Sequence, residues 1–143
     1  MTQPIQDALI EIAAVVANVP GIKAAYPYPQ EQQNEYPFVS IYVTSGNKAM
    51  GAIGTRKSLS NINLDLTTNR LNLAADMELL LPFLDTLPAA LEDEVSGTGA
   101  RFNGTISTFE QTNYLFVPAL EYSKIPCIAY RFTMTNVKIL SNT

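Results

Sequence analysis

Between residues 60 and 80 the chain, SNINLDLTTNRLNLAADMELL, changes period. Up to Thr67 the apolar residues Ile62, Leu64 and Leu66 take every second position; from Leu71 onward they return every three or four. Alternation marks a half-buried strand and three-four spacing an amphipathic helix, so a strand over 59–68 feeds straight into a helix. Leu73, Met77, Leu80, Leu84, Leu87 and Leu91 form one continuous apolar seam. Pro82 and Pro88 fall inside that seam. An interior proline removes a hydrogen bond and kinks a helix, which predicts a bent or two-piece helix over 70–93. Glu92, Asp93 and Glu94 follow; their charges oppose the helix dipole, so either the end frays or a short second helix starts at Pro88.

Upstream, Ile5, Leu9, Ile12, Val16 and Val19 keep helical spacing between Pro4 and Pro20-Gly21, which predicts a helix over about residues 4–18. YPYPQEQQNEYP has no period and reads as a loop over about 26–37. FVSIYVT, 38–44, is β-branched and aromatic and reads as a strand. Apolar groups on both of its faces place it centrally or under a cover. SGNKAMGAIGTRKS, 45–58, carries Gly46, Gly51 and Gly54 between two strand signals and reads as a long hairpin. Its tip is either loose or an arm that orders on a partner; Met50 and Ile53, wasted in solvent, favour contact.

Downstream, SGTGAR, 96–101, reads as a flexible link, and 104–112 as a weaker strand with Ile106 and Phe109. NYLFVPALEYSKIP reads as irregular, with a short strand at 114–117. Ile128, Tyr130, Phe132 and Met134 alternate in a strong last strand, and the apolar phase then shifts to Val137 and Ile139. A phase shift signals a bulge or a change of covering face. Strands gathered on either side of a helix predict one α+β domain over 1–143. Its sheet would be mostly antiparallel, of four to five strands, with two main helices on one face and a long protruding hairpin arm at 45–58.

A chain of 143 residues can bury about 70% of its unfolded surface and needs no staples. Only 15% of residues are charged, below the about 25–35% that suits the surface of a solitary small domain; the shortfall hints at a covering partner. Net charge is −4, and of nine Lys and Arg residues only Arg56 and Lys57 are adjacent. A protein that grips phosphates carries a basic patch, so sequence-led DNA binding is not expected, whereas a surface that DNA slides past is compatible. The single cysteine, Cys127, excludes an internal disulfide and reads as a buried inert thiol. The N-terminal stretch lacks a basic start and carries Asp7 and Glu11, unlike a signal peptide. No apolar run reaches the about 18 residues of a membrane span. The expected location is therefore the cytoplasm, or a particle assembled from it, and the sequon Asn103-Gly104-Thr105 is incidental.

Local chemistry dictates no reaction. The chain has no histidine, which removes the histidine-dependent triads and most zinc sites. The glycines at 46, 51 and 54 precede no helix and lack a P-loop ending. Glu92, Asp93 and Glu94 do not share a helix face and read as a solvated end. Asn61, Asn63, Asp65 and Thr67 line one strand face, about 6.6–7 Å apart in succession. They form either a cation or sugar site, for which further oxygen ligands are not identifiable, or a hydrated or interfacial surface. Tyr26, Tyr28, Tyr36, Tyr114 and Tyr122 sit in or beside irregular segments, and tyrosine is enriched at interfaces.

In layout the chain resembles the tail terminator or tail-completion proteins of long-tailed bacteriophages. The likeness runs through the helix IQDALIEIAAVV closed by VPGI, the strand YPFVSIYV after a tyrosine-proline linker, the hairpin returning through SLSNINLDLTT, the helix LNLAADMELLLPFLDTLPAAL and the last strand IAYRFTMTNVKI. It covers about residues 5–140. The resemblance implies a virion protein of the tail, assembled in the host cytoplasm: a ring, usually a hexamer, that caps the tail tube. Such a ring stops polymerisation of the major tail tube protein and offers a surface to the head-tail connector protein. It also implies no catalysis, no cofactor, no metal and no membrane, with DNA passing without specific binding. The matching segments are the arm, with Gly46, Lys48, Met50, Ile53, Arg56 and Lys57, and the polar strand face of Asn61, Asn63 and Asp65 as subunit contact or lumen. The proline-broken helix and VPALEYSKIP fit the layout less well, which leaves open another tail, neck or connector role. A different self-assembling module, or an enzyme or small-molecule binder, are the remaining alternatives.

Overall fold

The computed structural model describes residues 4–29, 35–50, 56–96, 102, 105–122 and 125–139. In chain order the elements are α1 (Pro4–Ala17), β1 (Ala24–Tyr26), β2 (Phe38–Met50), β3 (Arg56–Asn69), α2 (Leu73–Leu80), α3 (Phe83–Ser96), β4 (Ile106–Thr108), β5 (Gln111–Tyr122) and β6 (Ile125–Ile139). The fold is α+β. Its strands form one six-stranded sheet in the order β1-β2-β3-β6, with β4 and β5 both on the far side of β6.

The alternation read from the sequence sets which face is dry. Val39 and Ile41 of β2, Ile62, Leu64 and Leu66 of β3, and Ile128, Phe132 and Met134 of β6 are all buried in one core cluster. Ala8, Ile12, Ala13 and Val16 of α1 and Leu80, Leu87 and Leu91 of α2 and α3 join the same cluster, so the helices cover one face. Each buried Leu or Ile side chain of this kind contributes about 1.5–3 kcal/mol.

Several expectations are corrected. The sheet is mixed, and has six strands: the three-residue β1 lies parallel to β2, Ala24 against Phe38, while the other ladders are antiparallel. AAY is too short for periodicity to register. The seam helix is in two pieces, as expected over 70–93, but no helix starts at Pro88: Leu81 caps α2, α3 opens at Phe83 after Pro82, and Pro88 lies within α3. Proline is tolerated at a helix start because its missing N–H has no partner there. The chain after Tyr114 is no irregular stretch. β5 runs twelve residues along β6, with its register break between Val117 and Leu120, around Pro118, and an edge strand accommodates a proline there. The weaker strand expected at 104–112 reduces to β4, which continues into β5 past Phe109 and Glu110 along the same side of β6.

Within the segment 45–58, expected as a long hairpin, the flanking strands are paired. β2 and β3 stay in register from Ser45 against Asn61 out to Met50 against Arg56, and β6 pairs β3 as far as Ser58 against Ile139. Residues 51–55, with Ile53, fall outside the described residues, as does most of the link expected at 96–101. The phase shift after Met134 is a bulge. β3 steps from Ile62 to Ser60 while β6 steps from Met134 to Val137, and Asn136 adopts φ 48°.

Candidate functional site

The face of the sheet away from the helices carries the polar residues singled out in the sequence, and most of them are buried within the chain. Asp65 is 5% exposed and Asn63 9%. Alternation of β3 brings both to this face, and the registers bring Tyr42 of β2 and Thr133 of β6 opposite Asn63, with Arg131 of β6 opposite Asp65. The result is a connected network. Arg131 donates from Nε to Oδ1 of Asp65 at 2.8 Å and from Nη2 to Oδ2 at 3.2 Å. The Tyr42 hydroxyl donates to Oδ2 of the same carboxylate at 2.9 Å. Asn63 donates to the Tyr42 hydroxyl at 3.4 Å and accepts from Thr133 Oγ1 at 2.8 Å.

The carboxylate therefore has three donors, and a fork of this kind is both strong and directional. Burial pushes the Tyr42 hydroxyl above its ordinary pKa; the hydrogen bond from Asn63 works against that, and the Asp65 charge adds to it. The hydrogen bond to Asp65 raises Arg131 further above its ordinary value. This network is occupied by its own members, so its chemistry is cohesion across three strands. Arg131, with its side chain 33% exposed, is where the network meets the outside.

Asn61, one step along the same face, is half-buried and ties bulges rather than charges. Its Nδ2 donates to Ser45 Oγ at 2.9 Å, and its Oδ1 accepts the backbone N–H of Asn136 at 3.0 Å. Gly46 pairs with Ser60, and a Cβ built on it would stand 2.8 Å from the carbonyl oxygen of Leu59. The glycine is thus required by close approach of two strands. Lys48 is exposed and opposite Ser58. Met50, Arg56 and Lys57 are placed by their backbone pairing at the end of the hairpin.

Two open clefts lie beside α1, on the helix side of the sheet. One, of about 240 Å³, lies at the base of the hairpin between Ile5, Val43, Lys48 and Ser58; the other, of about 380 Å³, lies between the end of α1 and α3 and is rimmed by Asp93 and Glu94. Among the described residues no group of three or more His, Cys, Asp or Glu side chains is placed to hold a metal ion, and no helix is long and apolar enough to cross a membrane.

Apart from Tyr114 and the short strand at 114–117, the sheet's margins were not singled out in the sequence. β5 shows Tyr114 and Leu115 to solvent, 57% and 64% exposed, and among the described residues no strand pairs its outer side. On the opposite margin β1 covers β2 only from Phe38 to Ser40, leaving Ile41 onward without a strand neighbour on that side among the described residues. The signal for β5 lies in QTNYLFV, seven uncharged residues rich in β formers; it gave the short strand at 114–117, and Pro118 obscured its full length. Tyr42 and Arg131 gave no local sign, since Arg131 meets Asp65 across 66 positions. No protein-family model matches the chain, and no curated protein matches it.

Proposed function

We propose that this chain is a structural protein of a bacteriophage virion, a ring-forming subunit that terminates the tail tube and joins it to the head or neck connector. A single observation carries the reading: among the described residues each copy presents two different open margins of one sheet, the outer sides of β5 and of β2 beyond Ser40. A closed ring requires two dissimilar, complementary patches on every subunit, and exposed strand edges are natural templates for pairing.

The low charged fraction and the net charge of −4 support it. In about six copies the negative charge sums, and a negatively charged lumen repels the DNA backbone and lets it slide. The polar network supports it in another way. Its carboxylate is held by groups of the same chain, as a rigid scaffold needs. Under this reading the protein is not an enzyme and acts through contact with copies of itself, with the major tail tube protein and with the connector.

Electron microscopy of the protein mixed with assembling tail tubes tests the proposal. Rings with about six-fold symmetry, seated at one end of tubes of uniform length, are the expected result. A strict monomer at high concentration, with tubes growing at unchanged length in its presence, would overturn it. Rings that bind the connector but leave tube length unaffected would move the role to the neck.

A further inference from the structure

We infer that the copies join by strand addition: the outer edge of β5 in one subunit pairs antiparallel with the outer edge of β2 in the next. The inference rests on the ring reading and specifies its interface. It starts from strand direction. The ladders β2-β3, β3-β6 and β6-β5 are all antiparallel, so β5 runs opposite to β2 within one copy. Rotation about an axis along the strands leaves each copy's strand directions unchanged. It therefore brings β2 of the next copy to β5 in antiparallel sense, and the two sheets continue into one another.

Register follows from three constraints. β1 occupies β2 as far as Ser40, so pairing begins at Ile41. Pro118 and the register break beside it end the regular part of β5 at Val117. The core face must also continue across the junction. Phe116 and Tyr114 lie on the core side of β5, opposite Tyr130 and Phe132, while Ile41 is in the core and Val43 packs against it. Setting Ile41 against Phe116 satisfies all three and puts Tyr42 beside Leu115 and Val43 beside Tyr114. If the Thr44 bulge of β2 is carried across, Ser45 meets Asn113 and Lys48 meets Glu110. The last pair sets an exposed cation against an exposed carboxylate.

The edge itself argues for an occupant. Monomeric proteins blunt long edges with charge, proline or bulges. Gln111–Val117 has none of the three and exposes Tyr114 and Leu115. Strand addition supplies main-chain hydrogen bonds along the edge, with alternate side chains giving specificity.

The test mixes two single-cysteine variants of the full chain, Ser45→Cys and Asn113→Cys, each carrying Cys127→Ala to remove the native thiol, under mild oxidation, with Lys48→Cys and Glu110→Cys in the same background as a second pair should either of the first fail to fold. A disulfide-linked dimer that forms only in the mixture is expected. Linkage of Asn113→Cys to itself would mean a two-fold β5-β5 dimer and overturns the inference. In parallel, Lys48→Glu and Glu110→Lys are each expected to raise the concentration needed for ring assembly at least tenfold, and the double exchange to restore it. Leu115→Lys is expected to keep the monomer fold by circular dichroism and to abolish assembly. Rings from the unaltered chain, with no cross-link in the mixture and normal assembly of Leu115→Lys, would sink this interface and leave the ring standing. Absence of rings and of cross-links together would remove both.

Discussion

The side-chain oxygen of Asn61 accepts the backbone N–H of Asn136 across 3.0 Å, at the point where β6 carries one residue more than β3. On its other side the same asparagine donates to Ser45, beside Thr44, the extra residue of β2. Thr44 in turn donates to the Asn61 carbonyl oxygen at 3.2 Å. One residue on a central strand thus holds bulges on both neighbours. Bulges bend a strand and increase its twist, so Asn61 fixes how the hairpin end leaves the body of the sheet.

Asn61→Ala removes the partner of that N–H and is expected to cost about 1–2 kcal/mol in urea unfolding. Asn136 has φ 48°, a left-handed conformation that asparagine and glycine adopt and β-branched residues resist. Asn136→Gly should stay within about 0.5 kcal/mol of the parent, and Asn136→Val should lose about 1–3 kcal/mol. Equal stability of these two variants would show that the bulge does not need a left-handed residue.

The Asp65–Arg131 pair is asymmetric: the carboxylate is buried to 8% side-chain exposure and the guanidinium retains 33%. Removing the cation strands a buried charge, whereas removing the acid frees a side chain that can turn to water. Arg131→Met is expected to cost about 2–4 kcal/mol, partly offset by the remaining Tyr42 donor. Asp65→Asn is expected to cost less, about 1–2 kcal/mol. A double-mutant cycle read by denaturant unfolding should return a favourable coupling between the two positions. Additive losses would mean that the fork contributes no net cohesion.

Tyr42 gives the alkaline behaviour a sign. Burial raises its folded-state pKa above the ordinary value, about 10 for tyrosine. Between the unfolded and the folded pKa the unfolded chain has released its proton and the folded chain has not, so stability falls as pH rises. Below about pH 10 the contribution is fully present. Thermal melts from pH 8 to 11 should show a steeper alkaline loss for the parent than for Tyr42→Phe. Identical slopes would place the alkaline sensitivity on other tyrosines.

Much of the fold was legible because one face of the sheet is apolar along Ile62–Leu66 and Ile128–Met134. Ile62, Leu64 and Leu66 announced β3, Ile128 to Met134 announced β6, and the slip to Val137 and Ile139 announced the bulge that Asn136 makes. β1 was not legible because three residues show no period. Of β5 only 114–117 was legible, because Pro118 breaks the pattern beyond it. Of the two prolines in the seam, Pro82 marks the break, while buried Leu87 and Leu91 hold α3 together across Pro88. At the site, alternation placed Asn61, Asn63 and Asp65 on one face. Their burial depended on Tyr42, Thr133 and Arg131, and pairing across strands leaves no mark in a single sequence.

Gly46 and Gly21 were both marked as punctuation, and they act by different means. At Gly46 an added Cβ would meet the Leu59 carbonyl oxygen at 2.8 Å and Ser60 Oγ at 3.0 Å. The nearer atom belongs to the backbone of a paired strand and cannot swing aside. Gly46→Ala must therefore spread β2 from β3, with an expected loss of about 1–3 kcal/mol. At Gly21, φ is +97° and the ring of Phe83 would lie 2.9 Å from the new Cβ. There a flexible side chain can move, so strain in the backbone dominates. Gly21→Ala should lose a comparable amount, and Phe83→Leu should recover little of it. Hydrogen exchange separates the two cases. Gly46→Ala should speed exchange of the amides pairing Ser45–Lys48 with Ser58–Asn61 and leave α1 protected, whereas Gly21→Ala should loosen the end of α1. Unchanged exchange across the β2–β3 ladder in folded Gly46→Ala would refute the close-approach account.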